Sequence, residues 1–285
     1  MTISLRSDAS GTSGAIQVNG ADRITISSNG SVRGSPVTKA FSNLKASATG
    51  LSATTSITAD EVTLAADDQS YLTARSVNVN VSVATSGAGG LDSGSVSSST
   101  WYSVWLISNG TTVAGLLSLS PTSPAMPSGY THKMRVGWIR TDSTANKFPL
   151  GFTQAGNRVQ YKVAAGSNLT GLPIMASGLQ GSGAAGSTSY TWAAISTAPF
   201  FPATSASVRI VARSTTNYSI AVAPNNSYGG DGNSSNPPFF NFRGVSSSSF
   251  ASCYQVEVPL ESNAVYVWSD GTGNSFLASG WEDNL

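Results

Sequence analysis

The sequence is poor in what several function classes need. One cysteine, Cys253, excludes an intrachain disulfide framework. One histidine, His132, excludes a multi-histidine metal site, and no metal ligand set is predicted. Charged residues make up only 10% of the chain and the net charge is +1. No Lys/Arg cluster stands out, so the footprint of a nucleic-acid binder is missing. No apolar run approaches the roughly 18 residues of a membrane-spanning helix, so no membrane insertion is expected. Met1 to Ser10 is polar and lacks the apolar stretch of a secretory signal, which predicts assembly in a cytoplasm without export by that route. Periodic rows of Leu, Glu, Lys and Arg are absent too, which argues against amphipathic helices.

Ser, Thr, Gly, Ala and Asn fill the space that charge leaves. Hydrophobic residues, at 40%, are enough for a packed core. Aromatic and β-branched residues recur throughout, which argues against disorder. The densest core is expected between Trp101 and Arg140, which holds three of the six tryptophans. Trp101 to Ile107 favours a strand, and Thr112 to Ser118 favours a second. Asn109-Gly110 between them suits a type I′ turn and predicts a hairpin. After a Pro-rich connection, Pro121 to Pro127, alternation places Met134, Val136 and Trp138 on one face and Arg135, Gly137 and Ile139 on the other.

The pattern predicts an all-β chain: a short N-terminal β-hairpin attachment segment, then two antiparallel, jelly-roll-like β-sandwich domains. Residues 1–40 carry very short strands around Asn19-Gly20 and Ser28 to Ser31, too thin to enclose a core. They must lean on something else, the body, another copy of the chain or a larger particle, and Ile3, Leu5, Ile16, Val18, Ile24 and Ile26 are the residues expected to make that attachment or oligomerisation contact. Residues 41–163 read as the first body domain. Glu61 to Leu64 and Tyr71 to Val83 are strands there, the latter with Val77, Val79, Val81 and Val83 alternating against polar residues. Residues 164–189 read as a Gly/Ser-rich linker. Residues 190–285 read as a second sandwich, with strands at Tyr190 to Ile195, Ser207 to Ala212, Tyr218 to Ala223, Tyr254 to Leu260, Val265 to Trp268 and Ser275 to Ala278.

No catalytic residue is assigned. His132 lacks a G-x-S-x-G partner and is expected at the surface or at a strand edge. Cys253 is expected to be a buried, inert thiol. Asp67, Asp68, Glu257 and Glu261 are expected as solvated acids. Gly181 to Gly186 matches G-x-G-x-x-G, but no strand precedes it and no helix follows, so it is expected to be linker and no cofactor is predicted. The loop Asn225 to Pro238 is long and nearly free of large apolar residues, as functional loops often are. Its Asn225, Asn226, Tyr228, Asp231 and Asn233 form the candidate ligand site. An aromatic face covers apolar C–H patches of a sugar while short polar side chains bond its hydroxyls.

Several segments resemble tailed-bacteriophage tail-fibre and prophage virion surface proteins. They are Gly14 to Gly20 with Ile24 to Gly30; Gly90 to Gly94 with Trp101 to Ile107; Leu117 to Ser120, Pro127 to Tyr130 and Arg158 to Tyr161; and, at the end, Ala223 to Gly230 with Gly280 to Leu285. The resemblance implies a virion structural protein, most simply a tail fibre or tail-tip protein that recognises host-surface glycan during adsorption. The alternative is a capsid decoration or head-fibre protein with a structural role. A depolymerase is disfavoured by the lone histidine and the lack of a long repeat solenoid. Partners implied are further copies of the chain in a homotrimer, other virion proteins of tail or capsid, and host cell-surface polysaccharide.

Overall fold

The computed structural model describes residues 3–7, 13–18, 21–27, 32–33, 40–68, 70–215, 217–245 and 251–285. The fold is all-β, and no helix occurs among the described residues. The chain forms two compact units, Met1–Gly156 and Asn157–Asn284.

The first unit holds β1 (Ile3–Ser7), β2 (Ser13–Val18), β3 (Ala21–Ser27), β4 (Val32–Arg33), β5 (Phe41–Ser42), β6 (Lys45–Ala48), β7 (Thr54–Ala66), β8 (Ser70–Ser82), β9 (Trp101–Ser108), β10 (Val113–Ser118), β11 (His132–Arg140) and β12 (Phe152–Ala155). Its spine is the antiparallel pair β7–β8. On β7 the inward positions shift from Thr55, Ile57 and Ala59 to Val62 and Leu64. On β8 they shift from Leu72 and Ala74 to Val77 and Val81. The shift falls at Asp60 and Ser76, where Ser76 takes a φ of 51°. β7 then pairs with β5 and β6, β6 with β12, and the end of β7 with β11.

β9 is the best-buried strand of the unit, flanked by β10 and β11. The β9–β10 hairpin forms, but its connection runs over residues 109–112 in place of a two-residue type I′ turn. Gly110 alone takes the positive φ there, at 90°. The Asn109 side chain accepts from the Thr111 and Thr112 N–H groups at 3.0 and 2.8 Å, which closes the longer loop. The alternation expected along β11 also fails. A bulge lies between Arg135 and Gly137, so Arg135 pairs with Trp105 while Trp138 pairs with Ser103. An extra residue in one strand flips every later side chain. Arg135 and Trp138 therefore share a face with Trp105. That face is covered by Met126 and Tyr130 from the Pro-rich connection, which pack against Trp105, Ile107 and Leu116.

β1 to β4 form an antiparallel meander, which replaces the predicted single hairpin. Ile3 pairs with Val18, Leu5 and Ile24 both pair with Ile16, and Ile26 pairs with Gly14. Backbone pairing alone is described for these strands, so the burial expected for the six apolar side chains lies outside the described residues, as do the turns at Asn19-Gly20 and Ser28 to Ser31. β4 pairs with β8 through Val32–Tyr71 and Arg33–Ser70, so the meander continues the sheet of the body.

The second unit holds β13 (Arg158–Tyr161), β14 (Ile174–Ser177), β15 (Ala193–Ser196), β16 (Ser205–Ser214), β17 (Ser219–Ala223), β18 (Phe240–Arg243), β19 (Ser252–Pro259), β20 (Ala264–Ser269) and β21 (Asn274–Asp283). One sheet runs β19–β16–β21, with β13 and β14 one after the other along the far edge of β21, at residues 280–282 and 275–277. The other runs β15–β20–β17–β18. Val208, Ile210, Ala212, Phe276 and Trp281 of the first sheet and Ile220, Val222, Val265 and Val267 of the second are fully buried. The unit begins earlier than residue 190. Arg158 to Gln160 pairs with β21, and β14 lies inside the stretch expected to be a linker. Composition alone does not reveal this, because β14 and β21 are far apart in sequence.

Candidate functional site

The second unit contains a cavity of about 340 Å³, within the roughly 300–1,000 Å³ range of small-ligand sites. Its floor comes from the sheet β15–β20–β17–β18. Asn241, Ala221 and Trp268 occupy one row across β18, β17 and β20, and Arg243 and Ser219 occupy the next positions. Alternation puts these on the face opposite Ile220 and Val222. Ala221 leaves space, and Trp268 fills part of it: Tyr190 stacks on the Trp268 ring at 3.7 Å with an interplanar angle of 3°. Trp192 meets Tyr190 edge-on at 5.8 Å.

Two loops close over this aromatic group. The first is the Gly-rich stretch from Gly181 to Ser189. Gly181 lies so close to the indole that a Cβ there would stand 2.1 Å from Trp268 Cδ1. The Trp268 N–H donates to the Ser182 carbonyl at 3.2 Å. The G-x-G-x-x-G match is therefore a lid over a tryptophan: contrary to expectation a strand, β14, ends at Ser177, three residues short of it, but no helix follows it among the described residues. The second loop is Asn225 to Pro238. Gly230 and Gly232 donate backbone bonds to Thr188 and Ser187, and Asp231 Oδ1 accepts from the Gly186 N–H at 2.7 Å. Burial, foremost, together with the neighbouring Asp231 carboxylate pushes the Tyr190 pKa up. The phenol thus stays protonated.

Of the five loop residues named from sequence, Asp231 alone lines the cavity. Asn225 donates to Glu261 at 2.7 Å and caps the Ser227 N–H at 2.8 Å. Asn233 donates to the Thr188 carbonyl and accepts from Ser235 and Asn236, which holds the loop's own turn. Tyr228 stands edge-on to Phe239 at 6.3 Å, and its carbonyl accepts from Trp192. Asn226 is exposed. The loop supplies one wall, the Gly-rich segment another through Ala185 and Gly186, and the sheet supplies the floor, including Asn241, Phe242 and Arg243, which sequence reasoning missed. The signal was the alternating Phe240-Asn241-Phe242-Arg243 directly after the loop, which is a strand signature.

His132 corrects its surface assignment: it is 3% exposed, because β11 is covered by β9 on one edge and by β7 on the other at this residue. Its Nε2 lies 3.2 Å from Ser70 Oγ, and Ser70 Oγ lies 2.6 Å from Asp68 Oδ1. Serine stands between the carboxylate and the imidazole, whereas a nucleophilic triad places the histidine in the middle. With the Ser70 proton on Asp68, His132 Nε2 donates to Ser70 and Nδ1 accepts from Thr131. Burial lowers the His132 pKa, and Asp68 partly offsets this. Asp67, Asp68, Glu257 and Glu261 are exposed, yet Asp67 pairs with Lys133 at 2.7 Å and Glu257 with Arg158 at 3.2 Å. Cys253 differs from expectation, since it is exposed on the edge strand β19. Among the described residues no group of three or more His, Cys, Asp or Glu side chains is placed to hold a metal, and no helix is long and apolar enough to cross a membrane.

Comparison with protein-family models, curated proteins and solved structures finds no match to this chain.

Proposed function

We propose that the protein is a bacteriophage virion surface protein, a tail-fibre or tail-tip component, whose second unit binds host-surface polysaccharide. The cavity beside Tyr190 and Trp268 carries this reading. It joins an aromatic wall to a carboxylate, an amide and a guanidinium within one concave space, the mixture that small polar ligands with apolar C–H faces require. The binding role needs neither catalysis nor cofactor. The resemblance of Ala223 to Gly230 and Gly280 to Leu285 to closing modules of tail-fibre proteins supports a receptor-facing role for the same unit. The N-terminal meander is assigned to attachment, in a homotrimer assembled in the host cytoplasm.

Two measurements test the reading. Calorimetric titration of the full chain with fragments of host-surface polysaccharide is expected to give saturable binding. Antibody labelling of particles in the electron microscope is expected to mark the tail. Label on the head with no saccharide binding would favour a capsid decoration protein.

A further inference from the structure

We infer that the cavity selects an acidic sugar, one bearing a carboxylate, and that Arg243 is the specificity-determining residue. This rests on the saccharide-binding reading above.

Asp231 already accepts from the Gly186 N–H. A carboxylate offers about four lone-pair sites, so acceptor sites remain for ligand hydroxyls. Ser219 spends its N–H on the Asp270 carboxylate at 2.7 Å. Asn241 is exposed at the cavity, and its amide makes no hydrogen bond to a described residue. Toward the described residues Arg243 commits only Nε, which donates to Asn217 Oδ1 at 3.0 Å. That one bond orients the guanidinium plane and leaves both terminal nitrogens for the cavity.

The cavity lining therefore carries two polar groups of opposite character. Asp231 accepts, as sugar hydroxyls require. The Arg243 fork can donate two parallel N–H groups, the geometry that matches a planar carboxylate. A neutral hexose uses the first group and leaves the cation unpaired. A hexuronate uses both. Arg243 sits on β18 rather than on a loop, and its neighbour in the ladder is Ser219 of the fully buried strand β17. The fork is thus anchored to a rigid element, which is what discrimination needs.

The test is calorimetric titration of the full-length protein with glucuronate, glucose, glucuronamide and glucose 6-phosphate. Glucuronate is expected to bind about tenfold or more tighter than glucose or glucuronamide, the worth of one charge-assisted bidentate pair. Arg243→Gln is expected to remove that advantage, so that the affinities for glucuronate and glucose converge, while the melting temperature stays unchanged, since the side chain is exposed. Arg243→Lys is expected to restore part of it. Equal binding of glucuronate and glucose, or an advantage that survives in Arg243→Gln, overturns the inference and leaves the saccharide reading standing. Binding of glucose 6-phosphate as tight as glucuronate overturns the carboxylate assignment in favour of general anion recognition. No binding of these four or of any host-surface saccharide overturns both.

Discussion

The Arg135 guanidinium stands 5.6 Å from the centroid of the Trp138 ring. Residues three apart on a regular strand point to opposite faces. The two meet because the bulge at Val136 takes one residue out of register. The bulge is thereby tied to a cation–π contact on the face that also carries Trp105. Arg135→Gln is expected to lower stability by about 0.5–1 kcal/mol, the worth of such a contact near a surface. Denaturant unfolding with unchanged stability would show that packing alone sets the bulge.

Trp105 is 6% exposed and packs with Ile107 and Leu116 beneath Met126 and Tyr130. Its indole N–H donates to Ser103 Oγ at 2.8 Å. Trp105→Ala leaves a large void, so a loss of roughly 3–5 kcal/mol is expected. Equilibrium unfolding in urea measures it, and a loss below about 1 kcal/mol would contradict a packed core on this face.

Gly181→Ala drives a methyl into the Trp268 indole. Overpacking of this kind costs about 1–3 kcal/mol, and the lid cannot yield without straining the Gly186–Asp231 bond. A lower melting temperature together with altered tryptophan fluorescence is expected. A variant as stable as the parent with unchanged fluorescence would mean that the Gly-rich segment does not rest on Trp268.

Burial holds the His132 pKa below its ordinary value of 6.5. The unfolded chain therefore binds a proton that the folded chain refuses as pH falls below that value. Stability from this source is intact above about pH 6.5 and declines with acidification until the folded-state pKa is passed. His132→Gln, which cannot titrate, is expected to flatten this part of the profile. Denaturation midpoints of both proteins at about pH 7.5 and pH 5.5 check it. Parallel profiles would remove His132 as the source.

The protein is expected to be a homotrimer. No disulfide is available, and the thin meander β1–β4 leaves strand edges that natural sheets cover. Native mass spectrometry should give three times the single-chain mass of 29.1 kDa. A concentration-independent monomer would refute this and shift the durability of the protein to contacts with other proteins.

Much of the fold follows from local pattern. Alternation along Ser70–Ser82, the aromatic runs of β9 and β20 and the turn residues between them specify strands, because period-2 burial and β-propensity act over a few residues. The long loop likewise marks one wall of the candidate site through Asp231. What only the tertiary structure decided depends on contacts distant in sequence. The bulge at Val136 answers to the register against β9. His132 is buried because two strands close on it from different parts of the chain. A Gly-rich segment that reads as linker becomes a lid because its missing side chains let it touch Trp268, 87 residues on. Tyr190, Asp231, Arg243 and Trp268 form one cavity for the same reason: an antiparallel sheet brings together residues that no local period connects.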